Sequence, residues 1–420
     1  MSSATAGRFL KQPASVWAIT FATPMSFVGI GLVSPILPTI ADELSASAFE
    51  SMLLFSSYLF VTAGTMFFAG FISTRIGIKA TLVTGLVIIV VFASLAGLSD
   101  TIGQIIGLRA GWGFGNALFV TMALAGIVGA ANGGSTTAII LYEAALGMGM
   151  ALGPLVGGSL GTISWRAPFL GTALLMALAA TTVAVFLKPL PKPADMPISV
   201  GFTALRHRPL LVWSAASLCY NFTIVCLLAY APHALAAAAE ASGADYSSLS
   251  LGVVFFGWGS ALAICSLLLP RPLVQYLGFV PAILLVLLGM TGMLTVLALN
   301  THSLAVVMVG IITMGGLQGI TNTLFTEAAL NATQLPRNIA SSSFSAFRFL
   351  GGAIFPLVSA PLLALWGAPG PFWGSLIALV LATVIITLGY RTLPAAQRHR
   401  GRLFRRTADA APAHTHSSGT

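Results

Sequence analysis

The stretch YEAALGMGMALGPLVGG, Tyr142 to Gly158, sits inside an apolar segment that runs from Gly134 to Gly161. Glycines at 149, 153 and 157 recur every fourth residue, so on a helix they line one face and let a second helix approach the backbone closely. Pro154 removes a backbone hydrogen bond within the same stretch, which predicts a bend or loosening where the packing is tightest. The segment is long enough to cross about 30 Å of hydrocarbon as a helix. Glu143 is then a carboxyl set inside a membrane, beside a close-packed joint.

The rest of the chain reads the same way. Of its 420 residues 57% are hydrophobic and only 7% charged, and the mean hydropathy is +0.96, too apolar for a water-soluble domain. Apolar runs recur near residues 16–40, 50–72, 79–98, 102–126, 135–161, 167–187, 210–235, 248–269, 277–299, 303–326, 340–365 and 371–390. In lipid every backbone polar group must be paired within the segment, so these runs predict an all-α integral membrane protein of twelve spans. The first run is long and interrupted by Pro24, Pro35 and Pro38, unlike a cleaved signal peptide.

The net charge of +9 is not a nucleic-acid footprint, because of where the charge sits. Of the 19 Lys and Arg residues, all but Arg109, Arg166 and Arg348 fall in one alternate set of loops and tails. That asymmetry places both termini in the cytoplasm of a multi-pass plasma-membrane protein, with its basic loops against lipid headgroups. The three cysteines lack metal-like spacing, and no P-loop or HExxH pattern occurs. No metal, cofactor, ATP hydrolysis or enzymatic activity is therefore expected.

An internal repeat divides the spans. Gly113-Phe-Gly-Asn-Ala-Leu-Phe119 recurs as Gly319-Ile-Thr-Asn-Thr-Leu-Phe325, Pro154-Leu-Val156 as Pro356-Leu-Val358, and Pro38 pairs loosely with Pro232. The order is consistent, which favours two six-helix bundles over chance matches in apolar sequence. The expected organisation is a first bundle over 1–187, a cytoplasmic linker over 188–209, a second bundle over 210–390 and a basic, disordered tail over 391–420. The linker carries KPLPKPADMP and the cluster Arg206, His207 and Arg208.

Three ordered motifs carry a resemblance. The turn GFISTRIGIKA supplies Gly70, Arg75, Gly77 and Lys79 in a pattern close to G-x-x-x-D-R-x-G-R-K, with Thr74 where the pattern has aspartate. LRAGWGFGNALF supplies Arg109, Gly113 and Gly115 in a pattern close to R-x-x-Q-G-x-G, with Trp112 in place of glutamine. GMALGPLVGG supplies Gly149, Gly153, Pro154, Gly157 and Gly158 and matches G-x-x-x-G-P-x-x-G-G. In these motifs the chain resembles the major facilitator superfamily, and among its members the twelve-span drug:proton antiporters. The resemblance implies two pseudo-symmetric six-helix bundles and, by alternating access, proton-coupled export of hydrophobic or amphipathic small molecules. It also implies proton handling by Arg109 and a cavity lined by the first, fourth, seventh and tenth spans. Asn116, Asn221, Gln318 and Asn322, with the aromatic Trp112 and Phe222, then become candidate substrate contacts. A monomer binding substrate and protons in a bacterial membrane is expected. The alternatives are a proton-coupled importer of a small metabolite and a membrane sensor or scaffold that transports nothing.

Charges inside spans are costly, about 2.5–3.5 kcal/mol each on insertion scales, and so point to function or to a fixed partner. Glu143 reads as a proton acceptor or as one end of a static interhelical hydrogen bond. Arg348 reads as its counter-charge, as an anchor for an anionic substrate, or as an edge arginine reaching lipid phosphate. His207 and His233 fall in or beside loops and read as polar surface.

Overall fold

The structure, a computed structural model, describes residues 12–131, 135–192, 206–244, 247–334 and 337–398. The centre of the linker and the tail from His399 onward lie outside these residues. The first half contains α1 (Ala14–Gly31), the short α2 (Leu37–Glu43), α3 (Ala48–Ile76), α4 (Ile78–Gly97), α5 (Ile102–Ala130), α6 (Ser135–Gly161) and α7 (Ala167–Phe186). The second half contains α8 (Arg208–Val225), a π-turn (Cys226–Tyr230), α9 (Ala231–Ala241), α10 (Ser248–Leu268), the short α11 (Pro270–Leu277), α12 (Phe279–Leu299), α13 (Leu304–Leu330), α14 (Arg337–Trp366) and α15 (Gly370–Gly389). A single turn, α16 (Ala395–Arg398), closes the described chain. Among the described residues, eleven helical stretches are long and apolar enough to cross a membrane, and the described apolar part of α6, Ala145–Gly161, belongs to the twelfth.

Hydrophobic side chains cover the outside as well as the core. Leu174, Val185, Leu267, Leu288 and Leu388 all stand out from the bundle, Leu388 with 80% of its surface exposed. A water-soluble protein would not carry such a girdle, whereas lipid tails accept it at no cost.

The spans end at two chemically different rims. The acidic rim holds Asp42, Glu43, Glu50, Asp100 and Glu240, and the basic rim holds Arg75, Lys79, Lys188, Lys192, Arg271 and Arg391. Three helices that start at the acidic rim are capped by hydroxyls. Ser47 Oγ accepts from Glu50 N at 3.1 Å while Ser47 N donates to Glu50 Oε2 at 2.8 Å, and Thr101 and Ser247 cap α5 and α10. At the basic rim the turns α3–α4 and α11–α12 are each made by one glycine that ends a helix and starts the next. Gly77 has φ 86° and ψ 159°, and Gly278 has φ 92° and ψ 167°. A side chain at either position would be strained, and the matching angles repeat one turn in both halves.

Packing repeats as well. Gly113 of α5 lies against the Tyr58 carbonyl of α3, and Gly319 of α13 against the Leu262 carbonyl of α10. Across the middle of the molecule α6 packs on α10 and α3 on α14, so these four helices form the seam between the halves. The helix α6 continues through Pro154 without interruption. The break falls instead in the seventh span, where the π-turn Cys226–Tyr230 precedes Pro232.

Candidate functional site

In the first half the polar centre is Arg109, with no exposed surface. Its guanidinium lies between two aromatic faces, 4.6 Å from the Tyr58 centroid and 4.6 Å from that of Trp112. Nε donates to the Leu54 carbonyl at 3.3 Å and Nη1 to the Gly29 carbonyl at 3.4 Å. Among the described residues the one ion pair is Arg166 with Asp100 at 2.9 Å, on the acidic rim, and it does not involve Arg109. The charge is thus held by ring quadrupoles and carbonyl dipoles, both weaker than a carboxylate partner.

Local sequence sets this up. Arg109, Trp112 and Asn116 follow each other at helical spacing on one face of α5, and Gly113 lets α3 come close enough for Tyr58 to reach the guanidinium. The Thr62 hydroxyl sits at that approach, 2.7 Å from the Tyr58 carbonyl of its own helix and 3.0 Å from the Gly113 carbonyl. Trp112 packs edge-on to Tyr58 and Phe169, and Ser26 of α1 donates to Asn116 Oδ1 at 2.7 Å. Arg109 Nη2, Trp112 Nε1 and Asn116 Nδ2 are buried with no hydrogen-bond partner. A buried unpaired donor costs roughly 1–3 kcal/mol, so this face is poised to accept a polar group.

The second half builds a different centre from the same repeat. Arg348 Nη1 donates to Asn322 Oδ1 at 2.8 Å, joining α14 to α13. Asn322 is the repeat partner of Asn116, so equivalent amides anchor different helices. Gln318 occupies the place equivalent to Trp112. Its Oε1 accepts from Trp258 Nε1 at 2.8 Å, its carbonyl accepts from Tyr220 OH at 2.7 Å, and its Nε2 is buried without a partner. Tyr220 stacks on Phe325 with centroids 5.5 Å apart. Asn221 is buried beside Gly352 of α14, and Phe222 meets Phe355 edge-on at 5.1 Å. The place equivalent to Arg109 is Gly315, so the second half has no matching charge.

The glycine motif of α6 has two jobs. Gly149, Gly153 and Gly157 face Pro24, Val28 and Leu32 of α1, while Gly158 faces Ser248 and Gly252 of α10 in the other half. Gly259 of α10 returns the contact against Ala151. One motif therefore fixes α6 within its bundle and also forms part of the seam. Glu143 lies on α6, but its side chain is outside those described.

At the basic rim Thr74 donates to the Phe71 carbonyl at 2.7 Å, turning its hydroxyl back into its own helix where an aspartate would project. Ser73 likewise donates to the Gly70 carbonyl at 2.7 Å. Arg75 lies over the Phe71 ring, and Lys192 Nζ donates to the Arg75 carbonyl at 3.3 Å, tying the start of the linker to this turn. Lys79 opens α4 on the far side of Gly77.

Sequence reasoning missed one cluster. His233 is not loop surface but sits on α9, where its Nε2 is 2.9 Å from Ser51 Oγ of α3 in the opposite half. The π-turn before it left no mark in the hydrophobic pattern, because its five residues are as apolar as a helix.

A model of the Major Facilitator Superfamily matches residues 19–335. The chain is 43% identical over 385 residues to the multidrug efflux protein YfmO of Bacillus subtilis, covering 91% of this chain and 95% of that one. The class G tetracycline resistance protein of Vibrio anguillarum is 26% identical over 272 residues, 60% of this chain and 65% of its own. Among solved structures, a bacterial homologue of the human lysosomal transporter Spinster, inward-facing and unoccupied, superposes with a TM-score of 0.72 at 14% identity, covering 90% of this chain and 97% of its own. The human organic anion transporter MFSD10 gives 0.69 at 16% identity, covering 89% and 99%.

Proposed function

The chain belongs to the major facilitator superfamily, and from that premise we propose that it exports hydrophobic or amphipathic drugs across a bacterial plasma membrane in exchange for protons. The observation that carries efflux is the 43% identity to a multidrug efflux protein along nearly the whole of both chains. The acidic rim then faces outward and the basic rim, with both termini, faces the cytoplasm. The two bundles rock about the α3–α14 and α6–α10 seams, exposing a central site first to one side and then to the other. The transporter works as a monomer.

The buried, acid-free setting of Arg109 supports proton coupling in the first half. A guanidinium held only by rings and carbonyls keeps its charge and gains from any anion brought near it. Glu143, on the helix that shares the α1 packing face, is the carboxyl that alternates between proton and counter-charge. Arg348 tunes the second half through Asn322. Substrate lies against Asn116, Trp112, Asn221, Phe222, Gln318 and Asn322, whose amides and rings suit amphipathic molecules. Gly70, Arg75, Gly77 and Lys79, with the α6 glycines, set the turns and seams that move.

Purified protein in liposomes tests the reading. With an imposed pH gradient, drug and protons are expected to move in opposite directions. Movement in the same direction would make the protein an importer, and no flux over a broad panel of amphipathic cations would make it a sensor. The Glu143→Gln protein is expected to bind drug but lose gradient-driven efflux. Unchanged efflux would remove Glu143 from the coupling.

A further inference from the structure

Three side-chain hydrogen bonds toward the acidic rim join the halves. Thr39 Oγ1 and Ser248 Oγ are 3.0 Å apart, Ser51 Oγ and His233 Nε2 are 2.9 Å apart, and Ser56 Oγ donates to the Ala353 carbonyl. Toward the basic rim the seam has the apolar edge-on contact of Phe67 with Phe347.

His233 differs from the other two contacts in what carries it. It sits at the third residue of α9, just beyond the π-turn, so it belongs to a segment that can change angle relative to α8. The turn itself is pinned elsewhere. Tyr230 OH donates to the Ala368 carbonyl at 2.7 Å and Cys226 Sγ lies 3.5 Å from the Pro371 carbonyl, both at the start of α15. Below it, Tyr220 ties α8 to α13. The seventh span thus has a fixed lower part, an anchored joint and an upper part held to the opposite half through His233.

Either tautomer of the ring makes the contact a hydrogen bond. Ser51 Oγ lies 2.8 Å from the Ala48 carbonyl as well as 2.9 Å from His233 Nε2. With its proton on the carbonyl, the serine oxygen accepts from an Nε2–H; with its proton turned to the ring, an unprotonated Nε2 accepts.

We propose that His233 and Ser51 form the latch of the gate on the acidic rim, the α9 segment swinging about the π-turn to open it. The assignment rests on the alternating-access reading given above. Inter-label distances across that rim test it, using fluorophores attached through non-canonical amino acids at Ile163 and Ala244, which keeps the native cysteines. Wild-type protein is expected to show a dominant short-distance population and a minor long one. Removing one hydrogen bond in His233→Leu or Ser51→Ala is expected to raise the ratio of long to short about 2- to 10-fold. His233→Gln, which keeps an N–H near the Nε2 position, is expected to stay close to wild type, and the Leu and Ala changes combined are expected to add nothing to either alone.

Unchanged distances in both single variants would overturn the latch while leaving alternating access intact. An effect of His233→Gln equal to that of His233→Leu would also overturn it, since packing and not the bond would then matter. A wild-type protein with one distance that neither drug nor pH shifts would remove the moving gate and the rocking mechanism together.

Discussion

The α1–α6 face allows a graded test, because its three glycines are crowded to different degrees by the same helix. A methyl group at Gly157 would overlap the Leu32 carbonyl oxygen and stand 2.6 Å from Leu32 Cα. At Gly149 it would stand 2.5 Å from the Pro24 carbonyl oxygen and 2.8 Å from Phe27 Cβ. At Gly153 the nearest atoms are the Val28 carbonyl oxygen at 3.0 Å and Gly31 Cα at 3.2 Å. Since backbone atoms cannot rotate away, the first two substitutions must push the helices apart, and overpacking of this kind costs about 1–3 kcal/mol. Opposing it, replacing a helical glycine by alanine gains up to about 1 kcal/mol. The net expectation is a clear loss for Gly157→Ala, a similar or smaller loss for Gly149→Ala, and a near-neutral Gly153→Ala. Gly64 of α3 has nothing within 4 Å, so Gly64→Ala serves as the control and is expected to be neutral or slightly stabilising. Thermal unfolding in detergent, with drug efflux measured in parallel, reads the series. A Gly153→Ala protein less stable than Gly157→Ala, or a Gly157→Ala protein indistinguishable from the Gly64→Ala control, would refute the assignment of this face.

Substitutions at two further positions probe opposite ends of the molecule. Arg109→Lys keeps the charge but not the planar group that stacks between Tyr58 and Trp112, so pH-driven efflux should fall in both Arg109→Lys and Arg109→Leu; full activity in the lysine protein would show that charge alone suffices. At the basic rim, Gln397 of α16 accepts from Trp213 Nε1 at 3.0 Å and donates to the Ala328 carbonyl at 2.9 Å, so Gln397→Ala should lower stability by about 1–3 kcal/mol while drug efflux per folded molecule is retained; undiminished unfolding temperature would mean that α16 is not seated on the second half.

Much of the architecture was legible because a membrane leaves few options. Apolar length gave the spans, and the alternation of basic loops gave their two rims. The Gly113 and Gly319 repeat pointed to the two halves, and each glycine does sit against a carbonyl of the neighbouring helix. The four-residue glycine spacing around Pro154 correctly marked a close helix contact, but not which helix it met. What the sequence hid were features made by contact rather than by pattern. Pro154 drew attention to α6, which stays helical through it, while the π-turn of the seventh span is spelled in ordinary apolar residues. Arg109 could be named from its cost in a membrane, whereas its cage depends on Tyr58, which lies on a different helix and whose own stretch gives no hint of a cation. His233 was undervalued for the same reason, since its partner Ser51 is far away in sequence.

The repeat also explains why one fold can couple two different tasks. The two bundles set the matched glycines Gly113 and Gly319 against a carbonyl of a neighbouring helix, and on the alternating-access reading each bundle so packed rocks as a unit about the seam. At the positions those glycines frame, the halves diverge. The first places Arg109 and Trp112 where the second places Gly315 and Gln318. On the antiport reading the caged charge of Arg109 serves the proton, while the drug lies between the bundles against Asn116 of one and Gln318 and Asn322 of the other. Each acts on the common seam, and a ligand that favours one arrangement of that seam changes the occupancy of the other site by the same free energy. On the antiport reading, exchange of a proton for a drug uses that kind of coupling.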